Sequence, residues 1–503
     1  MNKLNKKAIG SISVNVGEQD YQTLMALPEK VLQFGTGVLL RGLPDVYLDL
    51  ANKKGLFNGR VLVVKSTDTP GSDDFQQQDG LYTVVVRGFE NGQAVDKWDL
   101  NTSVSRVLAA NSQWETILAS AANPDMQIVI SNTTEVGIVL VEESIHANPP
   151  ASFPAKLLSF LYKRYQHFNG SKDAGMVVIP TELISDNGHK LQSILLELAT
   201  YNQLEPAFVA WLENANDFCN SLVDRIVPGK LPAAEAETIS KALGYEDSLM
   251  IMAEPYSLWA IETERARTKE ILSFASVNPG VKLTHDISKY KELKLRLLNA
   301  THSFSCALAI LSGFETVKEA MASDQFRAFV LTLMMEEIKP LVVGGPITET
   351  EAADFAQQVV DRFRNNSLEH RWVNISMQYS LKMASRCMPL ILKSYEQANS
   401  PRKRMLLGFA AYLLLMRTVQ DGDGKYYAEV SGQRIALTDE KLASMHICWQ
   451  EPNLEKTVIA VLQDISIWNA NLSTIPGFVQ DLVQVLAACQ QQGVIEILRT
   501  LKD

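Results

Sequence analysis

A glycine-rich turn at the end of an apolar segment is the feature that most constrains the fold of this 503-residue chain. Val31–Phe34 is predicted to be a short buried strand, and Gly35, Thr36 and Gly37 follow it directly. In a dinucleotide-binding turn the first glycine permits the tight bend, the second lets a pyrophosphate approach the backbone, and the next helix offers its N–H groups. Leu40 replaces the third glycine of that fingerprint, so an ordinary strand-turn-helix is the alternative interpretation.

The segments after this turn alternate between strand-like and helix-like patterns. Short runs rich in β-branched residues predict further strands of a parallel sheet buried on both faces, at residues 61–65, 81–87, 127–131 and 176–180. After about residue 185 a 3.6-residue periodicity dominates, in the segments 190–201, 289–312, 324–338, 352–363, 404–417 and 454–468. We therefore predict an α/β Rossmann-like N-terminal domain, residues 1–280, and a mostly α-helical C-terminal domain, residues 281–503, joined near the Pro-Gly turn at 278–282.

The end of the second strand is where a dinucleotide-binding fold places the group that contacts the ribose. Asp68 could accept a hydrogen bond from the 2′-hydroxyl and favour NAD, whereas Lys65 could pair with a 2′-phosphate. The spacing from the glycine turn is longer than the fingerprint requires. A solvated loop at a strand end is therefore the alternative interpretation of both residues.

One predicted helix, residues 289–312, carries Lys294, Asn299 and His302 at positions i, i+5 and i+8. At about 100° per residue, Asn299 lies roughly 140° and His302 roughly 80° from Lys294, so all three share one side of the helix. The rest of the helix is apolar, so we expect it to be buried, and burial lowers the pKa of a lysine towards the range of a general base. An asparagine amide can donate to a developing alkoxide, and a neutral histidine can orient a hydroxyl group. A core histidine, a surface lysine and a structural asparagine are the alternative.

Polar residues follow the predicted strands of the sheet. Asn132 and Thr133 come after the strand 127–131, and the segment Thr181–Gly188 comes after 176–180. Because the carboxyl ends of parallel strands face the ligand crevice, both clusters are candidates for binding, with a helix N-cap and an Asn-Gly turn as the alternatives. Asp224 and Arg225 lie among apolar residues and could form a structural ion pair.

A group of cations stands out in an otherwise acidic chain, at Arg362, Arg364, Lys382 and Arg386. Lys382 and Arg386 are at positions i and i+4 and therefore point the same way on a helix. They could hold an anionic substrate, or they could belong to a solvated face.

Composition excludes several classes of protein. A net charge of −10 with no basic block argues against a nucleic-acid partner, and apolar runs such as Met405–Met416 are shorter than the roughly 18–20 residues that span a bilayer. The basic N-terminus has no apolar signal segment, and five scattered cysteines fit reduced thiols, so we expect a cytoplasmic protein without a membrane partner. Without HxxxH or HExxH we expect no metal, although distant residues could still assemble a site.

Taken together, the motifs resemble the long-chain mannitol dehydrogenase family of polyol and sugar-acid dehydrogenases. The matching motifs are FxGxGxxxR at Phe34–Arg41, VDRIxP at residues 223–228 and KxxxxNxxH at Lys294–His302. The resemblance implies an NAD-dependent, metal-independent enzyme, with Lys294 as general base, Asn299 in the oxyanion site and His302 on a substrate hydroxyl. The candidate cofactor contacts are Phe34, Gly35, Thr36, Gly37, Arg41, Asp68, Asn132, Thr133 and Asp224.

Within the family, longer stretches such as FGTGVLLRG, QDGLYTVVVRG and FCNSLVDRIVPG are similar to sugar-acid members. This similarity implies the interconversion of D-altronate and D-tagaturonate in hexuronate catabolism. The corresponding mannonate and fructuronate pair, another polyol, and a non-catalytic NAD-binding protein are the alternatives. The sequence leaves open whether the chain is a monomer or a homodimer.

Departures from the polyol-oxidising pattern favour an anionic substrate. Those members have an asparagine at the position of Leu183, a glutamate at that of Lys291 and an arginine at that of Asn374. Asn187 is a candidate to replace the missing amide donor, and Lys382 or Arg386 to hold a carboxylate.

Overall fold

The computed structural model describes residues 1–9, 18–66, 73–133, 137–367, 369–397 and 400–501. The chain forms two compact units. Unit 1 comprises Met1–Arg87 and Ala94–Ile287, and unit 2 comprises Gly88–Gln93 and Ser288–Asp503. The short segment Gly88–Gln93 therefore belongs to the second unit although it lies within the first part of the chain.

Unit 1 is an α/β structure. Its strands are β1 (Asn2–Lys3), β2 (Glu29–Phe34), β3 (Arg60–Lys65), β4 (Tyr82–Glu90), β5 (Gln93–Asn101), β6 (Val104–Ala109), β7 (Ile128–Ser131), β8 (Val177–Pro180), β9 (Asp217–Phe218), β10 (Ser221–Asp224), β11 (Tyr245–Glu246), β12 (Ile251–Ala253), β13 (Leu258–Glu262) and β14 (Val281–Thr284). Its helices are α1 (Glu18–Ala26), α2 (Val38–Gly42), α3 (Pro44–Lys53), α4 (Asp73–Gln77), α5 (Ala110–Ala119), α6 (Phe153–His167), α7 (Asn187–Tyr201), α8 (Pro206–Ala215), α9 (Ala233–Leu243) and α10 (Ala266–Ile271).

A six-stranded parallel sheet with the order β6-β3-β2-β7-β8-β9 forms the centre of unit 1. Successive side chains of a strand point to opposite faces, and both faces here are apolar. On β2, Leu32 and Phe34 enter one hydrophobic cluster and Val31 enters the other. The chain leaves β2 for β3 on one side and later returns to β7 on the other, so the strand order reverses at β2, and ligands of such sheets bind at this switch point.

Two parts of the strand prediction need correction. Residues 81–87 do form a strand, but β4 pairs with β12 and β5 in a separate three-stranded sheet. The short strands β9 to β14 also continue well beyond residue 185, where helices alone were expected to dominate. Strands of only two to five residues give little periodic signal in the sequence, because too few side chains alternate between the two faces.

Unit 2 is mostly helical, as predicted. Its α-helices are α11 (Ser288–Leu293), α12 (Thr301–Leu311), α13 (Val317–Ala322), α14 (Asp324–Thr332), α15 (Lys339–Val342), α16 (Glu349–Phe363), α17 (Trp372–Ile375), α18 (Tyr379–Lys382), α19 (Met388–Glu396), α20 (Lys403–Leu415), α21 (Leu442–Cys448), α22 (Leu454–Gln463), α23 (Ile465–Trp468), α24 (Phe478–Gln492) and α25 (Val494–Thr500). A small antiparallel sheet consists of β15 (Thr418–Gln420), β16 (Tyr426–Val430) and β17 (Gln433–Ala436).

Three segments of unit 2 have π-helical rather than α-helical winding: π1 (Lys294–Ala300), π2 (Leu333–Ile338) and π3 (Met383–Cys387). The sequence predicted regular helices over all three. A π-segment closes i→i+5 hydrogen bonds and is frequent at functional sites. Across the described ranges, no helix is both long enough and apolar enough to cross a membrane.

Candidate active site

The glycine turn lies at the switch point of the parallel sheet in unit 1. Gly35 has a φ of +122°, and its N–H donates to the carbonyl of Val64 at 3.0 Å. A Cβ atom at Gly35 would stand 3.0 Å from Leu40 Cδ1 and 3.1 Å from the carbonyl oxygen of Asn132. Both the backbone conformation and the crowding therefore require glycine at this position.

The space in front of the next helix is open. Gly37 is the N-cap of α2, is exposed, and has an ordinary φ of −59°. A Cβ atom at Gly37 would meet nothing within 4 Å, and Thr36 beside it is half-buried. The first N–H groups of α2 therefore face space that a phosphate group could enter.

Arg41, a candidate cofactor contact, is held inside unit 1. Its Nη1 donates to the carbonyl of Leu249 at 2.7 Å, and its guanidinium lies over the rings of Phe75 and Tyr82. Burial lowers the pKa of Arg41, although the neighbouring carboxyl of Asp45 acts in the opposite direction. These contacts give Arg41 a structural task behind the glycine turn.

The VDRIVP segment supports the same helix. Arg225 donates from Nη1 to the carbonyl of Gly42 at 2.5 Å and from Nε to that of Glu254 at 2.9 Å. A Cβ atom at Gly42 would lie 2.8 Å from both methyl groups of Val227, so the segment packs directly against α2. Asp224, at the end of β10, is 8% exposed. The motif thus fixes the end of the helix that follows the glycine turn.

The polar residues after β7 and β8 form one network, as the strand order predicts. Asn132 donates through Nδ2 to Thr181, and its backbone N–H bonds to the carbonyl of Phe34. Ser131 and Thr133 both donate to the buried carboxylate of Glu182. This network holds Asn132 beside Gly35 and gives the crevice a fixed edge.

Asn187 has both of its polar side-chain atoms engaged with backbone. Its Nδ2 donates to the carbonyls of Pro180, Glu182 and Ser221 at 3.0 to 3.1 Å. Its Oδ1 accepts from the N–H groups of Gly188 and Ser221. The side chain joins the start of α7 to the strands β8 and β10, and this geometry disfavours the prediction that it donates to a substrate.

The structure describes only one of the two residues that were predicted to contact the ribose. Lys65 ends β3 and is half-buried. Asp68 lies outside the described residues. The choice between NAD and NADP from these two residues stays a prediction.

Lys294, Asn299 and His302 lie in unit 2, but on a helix that is not regular. Lys294 begins π1, Asn299 is its penultimate residue, and His302 lies in the first turn of α12. The angles expected for an α-helix are therefore wrong between Lys294 and Asn299. Because i→i+5 winding takes more residues per turn than the α-helix, Asn299 lies closer in direction to Lys294 than α-helical geometry predicts. Lys294 and Asn299 are half-buried, and Leu297 and Leu298, which lie between them in sequence, are buried.

Aromatic rings hold His302 in one orientation. Its imidazole stacks on Phe363 with centroids 4.0 Å apart and an interplanar angle of 12°. His370 and Trp372 meet it nearly edge-on, at 5.2 and 6.1 Å. Within the described structure, the His302 Nε2 atom is buried and has no hydrogen-bond partner. The ring is thus fixed with one nitrogen available for a ligand.

Cations surround this histidine. Burial is the main reason why the pKa of His302 is held well below 6.5, and the charges of His370, Arg362, Arg386 and Lys382 lower it further. The imidazole is therefore neutral. Burial also lowers the pKa of His370, and Arg362 and Lys382 add to the effect.

Lys382 and Arg386 are both half-buried, and Lys382 Nζ donates to the carbonyl of Ile375 at 2.8 Å. Burial lowers the pKa of both groups, and Arg386 further lowers that of Lys382. The two predicted cations and Arg362 thus all act electrostatically on His302. Sequence reasoning gave His370 no role, because it lies in no recognisable motif and enters the group only through the packing of α16 and the residues before α17.

No group of three or more His, Cys, Asp or Glu side chains that could hold a metal ion occurs among the residues that the structure describes.

Comparison with protein families assigns both units. Residues 29–273 match the model of the mannitol dehydrogenase Rossmann domain, and residues 286–490 match that of the mannitol dehydrogenase C-terminal domain. Among solved structures, the chain is similar to Pseudomonas fluorescens mannitol 2-dehydrogenase in its ternary complex with NAD and D-mannitol, at a TM-score of 0.66 and 21% identity over 99% of both chains. It is also similar to a D-sorbitol dehydrogenase, at a TM-score of 0.77 and 19% identity over 98% of this chain and 99% of the other.

Curated relatives are more similar in sequence. An altronate oxidoreductase of Halalkalibacterium halodurans is 36% identical over 93% of this chain and 92% of its own length. The corresponding proteins of Klebsiella pneumoniae and Bacillus subtilis are 35% and 34% identical, over 94% and 98% of this chain and 97% of each relative. With both family models matching in order, and relatives of this similarity over nearly the whole length, the chain belongs to the mannitol dehydrogenase family.

Proposed function

We propose that the chain is an NAD-dependent oxidoreductase that interconverts D-altronate and D-tagaturonate. The observation that carries this proposal is the group of cations around the neutral His302 in unit 2. Lys382 and Arg386, which are both half-buried, offer charge to an anion, so the carboxylate of a sugar acid would gain more from them than a neutral polyol would. The names of the curated relatives point to the same substrate.

The glycine turn supports a dinucleotide as cofactor. Gly35 has a backbone conformation that other residues rarely adopt, and the open space at Gly37 fits a pyrophosphate on the first N–H groups of α2. NAD, when bound, accepts or supplies the hydride. Residues 1–280 would form the cofactor domain and residues 281–503 the domain that supplies the proton-transfer group and most of the substrate contacts.

In this proposal Lys294 moves the proton. During reduction its Nζ donates a proton to the carbonyl oxygen of the substrate, and during oxidation it accepts the proton of the hydroxyl group. Asn299, on the same π-segment as Lys294, donates from its amide to the same oxygen as negative charge develops there. His302 uses the buried Nε2 to bind a neighbouring substrate hydroxyl.

Lys382 and Arg386 are proposed to hold the substrate carboxylate. Both are half-buried in unit 2, and both act electrostatically on His302. A charge-assisted hydrogen bond in such surroundings is stronger than one in water.

Initial rates with D-tagaturonate and D-fructuronate, measured side by side with NADH and NADPH, test the proposal. We expect the highest kcat/KM with D-tagaturonate and NADH. Preferred use of D-fructuronate would replace the substrate assignment, and preferred use of NADPH would replace the cofactor assignment. NADH binding without turnover of any hexuronate or polyol would instead identify a non-catalytic binding protein. We further propose a cytoplasmic location. We also propose that the protein is a monomer or a homodimer, and sedimentation would distinguish these two states.

A further inference from the structure

The two π-segments that carry the proposed catalytic and carboxylate-binding residues contact each other. Cys387 of π3 directs its Sγ to the carbonyl of Ala300 at the end of π1, at 3.7 Å. Arg296, inside π1, donates from Nη1 to the carbonyls of Ser385 and Arg386, at 3.0 and 2.8 Å. One guanidinium therefore spans from the segment of Lys294 to the backbone of Arg386 itself.

The sequence explains why one of those carbonyls, that of Ser385, is open to a donor from another helix. The α-helical partner of the Ser385 carbonyl would be the N–H of residue 389, which is proline and has none. Proline also disturbs the helix one turn before it, where π3 lies. Arg296 supplies a donor to this exposed carbonyl and also to the part-buried contact at Arg386.

The guanidinium is itself held in place. Arg296 Nε donates to Glu292 Oε1 at 2.8 Å, one turn earlier on α11, and the Arg296 side chain is only 12% exposed. Three hydrogen bonds in different directions use the planar, forked geometry of arginine, which a lysine cannot reproduce. The contact is therefore directional and ties π1 to π3.

We propose that Arg296 is a positioning residue that sets the separation between the Lys294–Asn299 pair and the carboxylate-binding Arg386. This inference rests on the proposed function of the same site. A sugar acid that is anchored by its carboxylate at Arg386 presents one particular carbon to Lys294. The separation therefore selects which hydroxyl group along the chain reacts, and Arg296 acts through Arg386 rather than by contact with the substrate.

The test compares Arg296→Lys, Arg386→Gln and the double variant in the full-length protein, by steady-state kinetics with D-tagaturonate and NADH. A misplacement of about 1 Å costs roughly 100-fold, so we expect kcat/KM of Arg296→Lys to fall by about that factor. NADH binding, measured by fluorescence titration, should not change. Because Arg296 acts through Arg386, the double variant should be no less active than Arg386→Gln alone.

Two further variants keep the result interpretable. Glu292→Gln retains both carbonyl contacts and should show a smaller loss in the same direction. Arg327→Lys is the matched control, because Arg327 also binds a backbone carbonyl and a nearby carboxylate, those of Met321 and Asp324, away from π1 and π3. It should leave kcat and KM unchanged.

Additive losses in the double variant, or a normal kcat/KM for Arg296→Lys, would overturn the inference while leaving the proposed function intact. A lower melting temperature with unchanged kinetics would likewise reduce Arg296 to a structural residue. If the wild-type protein turned over no hexuronate, the proposed function would fail. The single and double variants would then be compared by the increase in melting temperature that D-altronate causes. Additive losses of that increase would again contradict the inference.

Discussion

The two units carry sites of opposite construction. In unit 1 the glycine turn is defined by backbone: a positive φ at Gly35, open space at Gly37, and polar side chains that are turned towards neighbouring backbone and carboxylate groups. In unit 2 the site is made of half-buried cations and a fixed histidine on helices that depart from regular winding. From this contrast we expect the first site to present N–H groups to an anion of fixed shape and the second to use side-chain charge to select among substrates.

The largest expected effect lies in unit 2. Lys294→Ala should lower kcat by about 10²–10⁴-fold, which is the usual contribution of general acid–base catalysis. NADH binding should be retained, because the turn in unit 1 is untouched. Lys289→Ala, on the preceding helix α11, is the matched control and should keep most of the activity, because Lys289 pairs with Glu351. Near-normal turnover of Lys294→Ala would contradict the proton-transfer role.

Removal of a carboxylate-binding cation should have the next largest effect. Arg386→Gln should raise KM for D-tagaturonate by roughly 10- to 100-fold, because a hydrogen bond to a charged group contributes about 1.5–3 kcal/mol. Arg434→Gln, which removes an exposed cation paired with Glu429 on the β16–β17 hairpin, is the control and should leave KM unchanged. An equal effect of both substitutions would indicate long-range charge rather than a carboxylate site.

Two glycine substitutions would separate fold from binding in unit 1. Gly35→Ala places a side chain at a φ of +122° and should lower the free energy of unfolding by about 1–3 kcal/mol. Gly37→Ala should leave stability unchanged, because nothing lies within 4 Å of the added atom. It should nevertheless weaken NADH binding by about tenfold, because the added methyl group occupies the space that the pyrophosphate would enter. Denaturant unfolding and fluorescence titration distinguish the two, and unchanged NADH binding by Gly37→Ala would contradict a pyrophosphate at the turn.

The same contrast explains what the sequence could predict. The strands β2, β3, β7 and β8 and their crevice followed from short apolar runs, because local pattern and long-range pairing agree in a buried parallel sheet. The π-winding of unit 2 did not follow, since in π3 it precedes Pro389 and joins a contact between helices that are far apart in sequence. For the same reason His370 was missed, whereas Lys294, Asn299 and His302 were proposed from a motif of fixed spacing.

Each unit also holds, near its site, a buried group whose pKa is shifted towards the neutral form, and the two respond to pH in opposite directions. In unit 1, burial raises the pKa of Asp45 from 3.8 to about 7, against the lowering effects of Gln33, Arg41 and Tyr82. The protonated form is favoured in the folded state, so this contribution to stability is present below pH 3.8 and is lost as the pH rises through about 7. Asp45→Asn is neutral at every pH, so its stability relative to the wild type should increase between about pH 4 and 7, by up to roughly 1.4 kcal/mol per pH unit, and level off above that range.

Urea unfolding at several pH values measures this difference for Asp45→Asn. Asp324→Asn, which changes an exposed carboxylate paired with Arg327, is the control and should follow the wild-type curve. Parallel curves for Asp45→Asn and the wild type would contradict a neutral Asp45.

In unit 2 the sign is reversed. Burial and neighbouring cations hold the pKa of His302 well below 6.5, so the folded state favours the neutral imidazole. The unfolded chain binds a proton near pH 6.5, and stability is therefore full above that pH and is lost as the pH falls towards the folded-state pKa. His302→Gln cannot take up this proton, so its unfolding free energy should fall less steeply than that of the wild type below pH 6.5, by up to about 1.4 kcal/mol per pH unit. His370, whose pKa burial also lowers, should give a change of the same sign in His370→Gln. If His302→Gln kept the wild-type slope between pH 5 and 6.5, the imidazole would not be neutral in the folded protein, and the cations around it would be compensated by other groups.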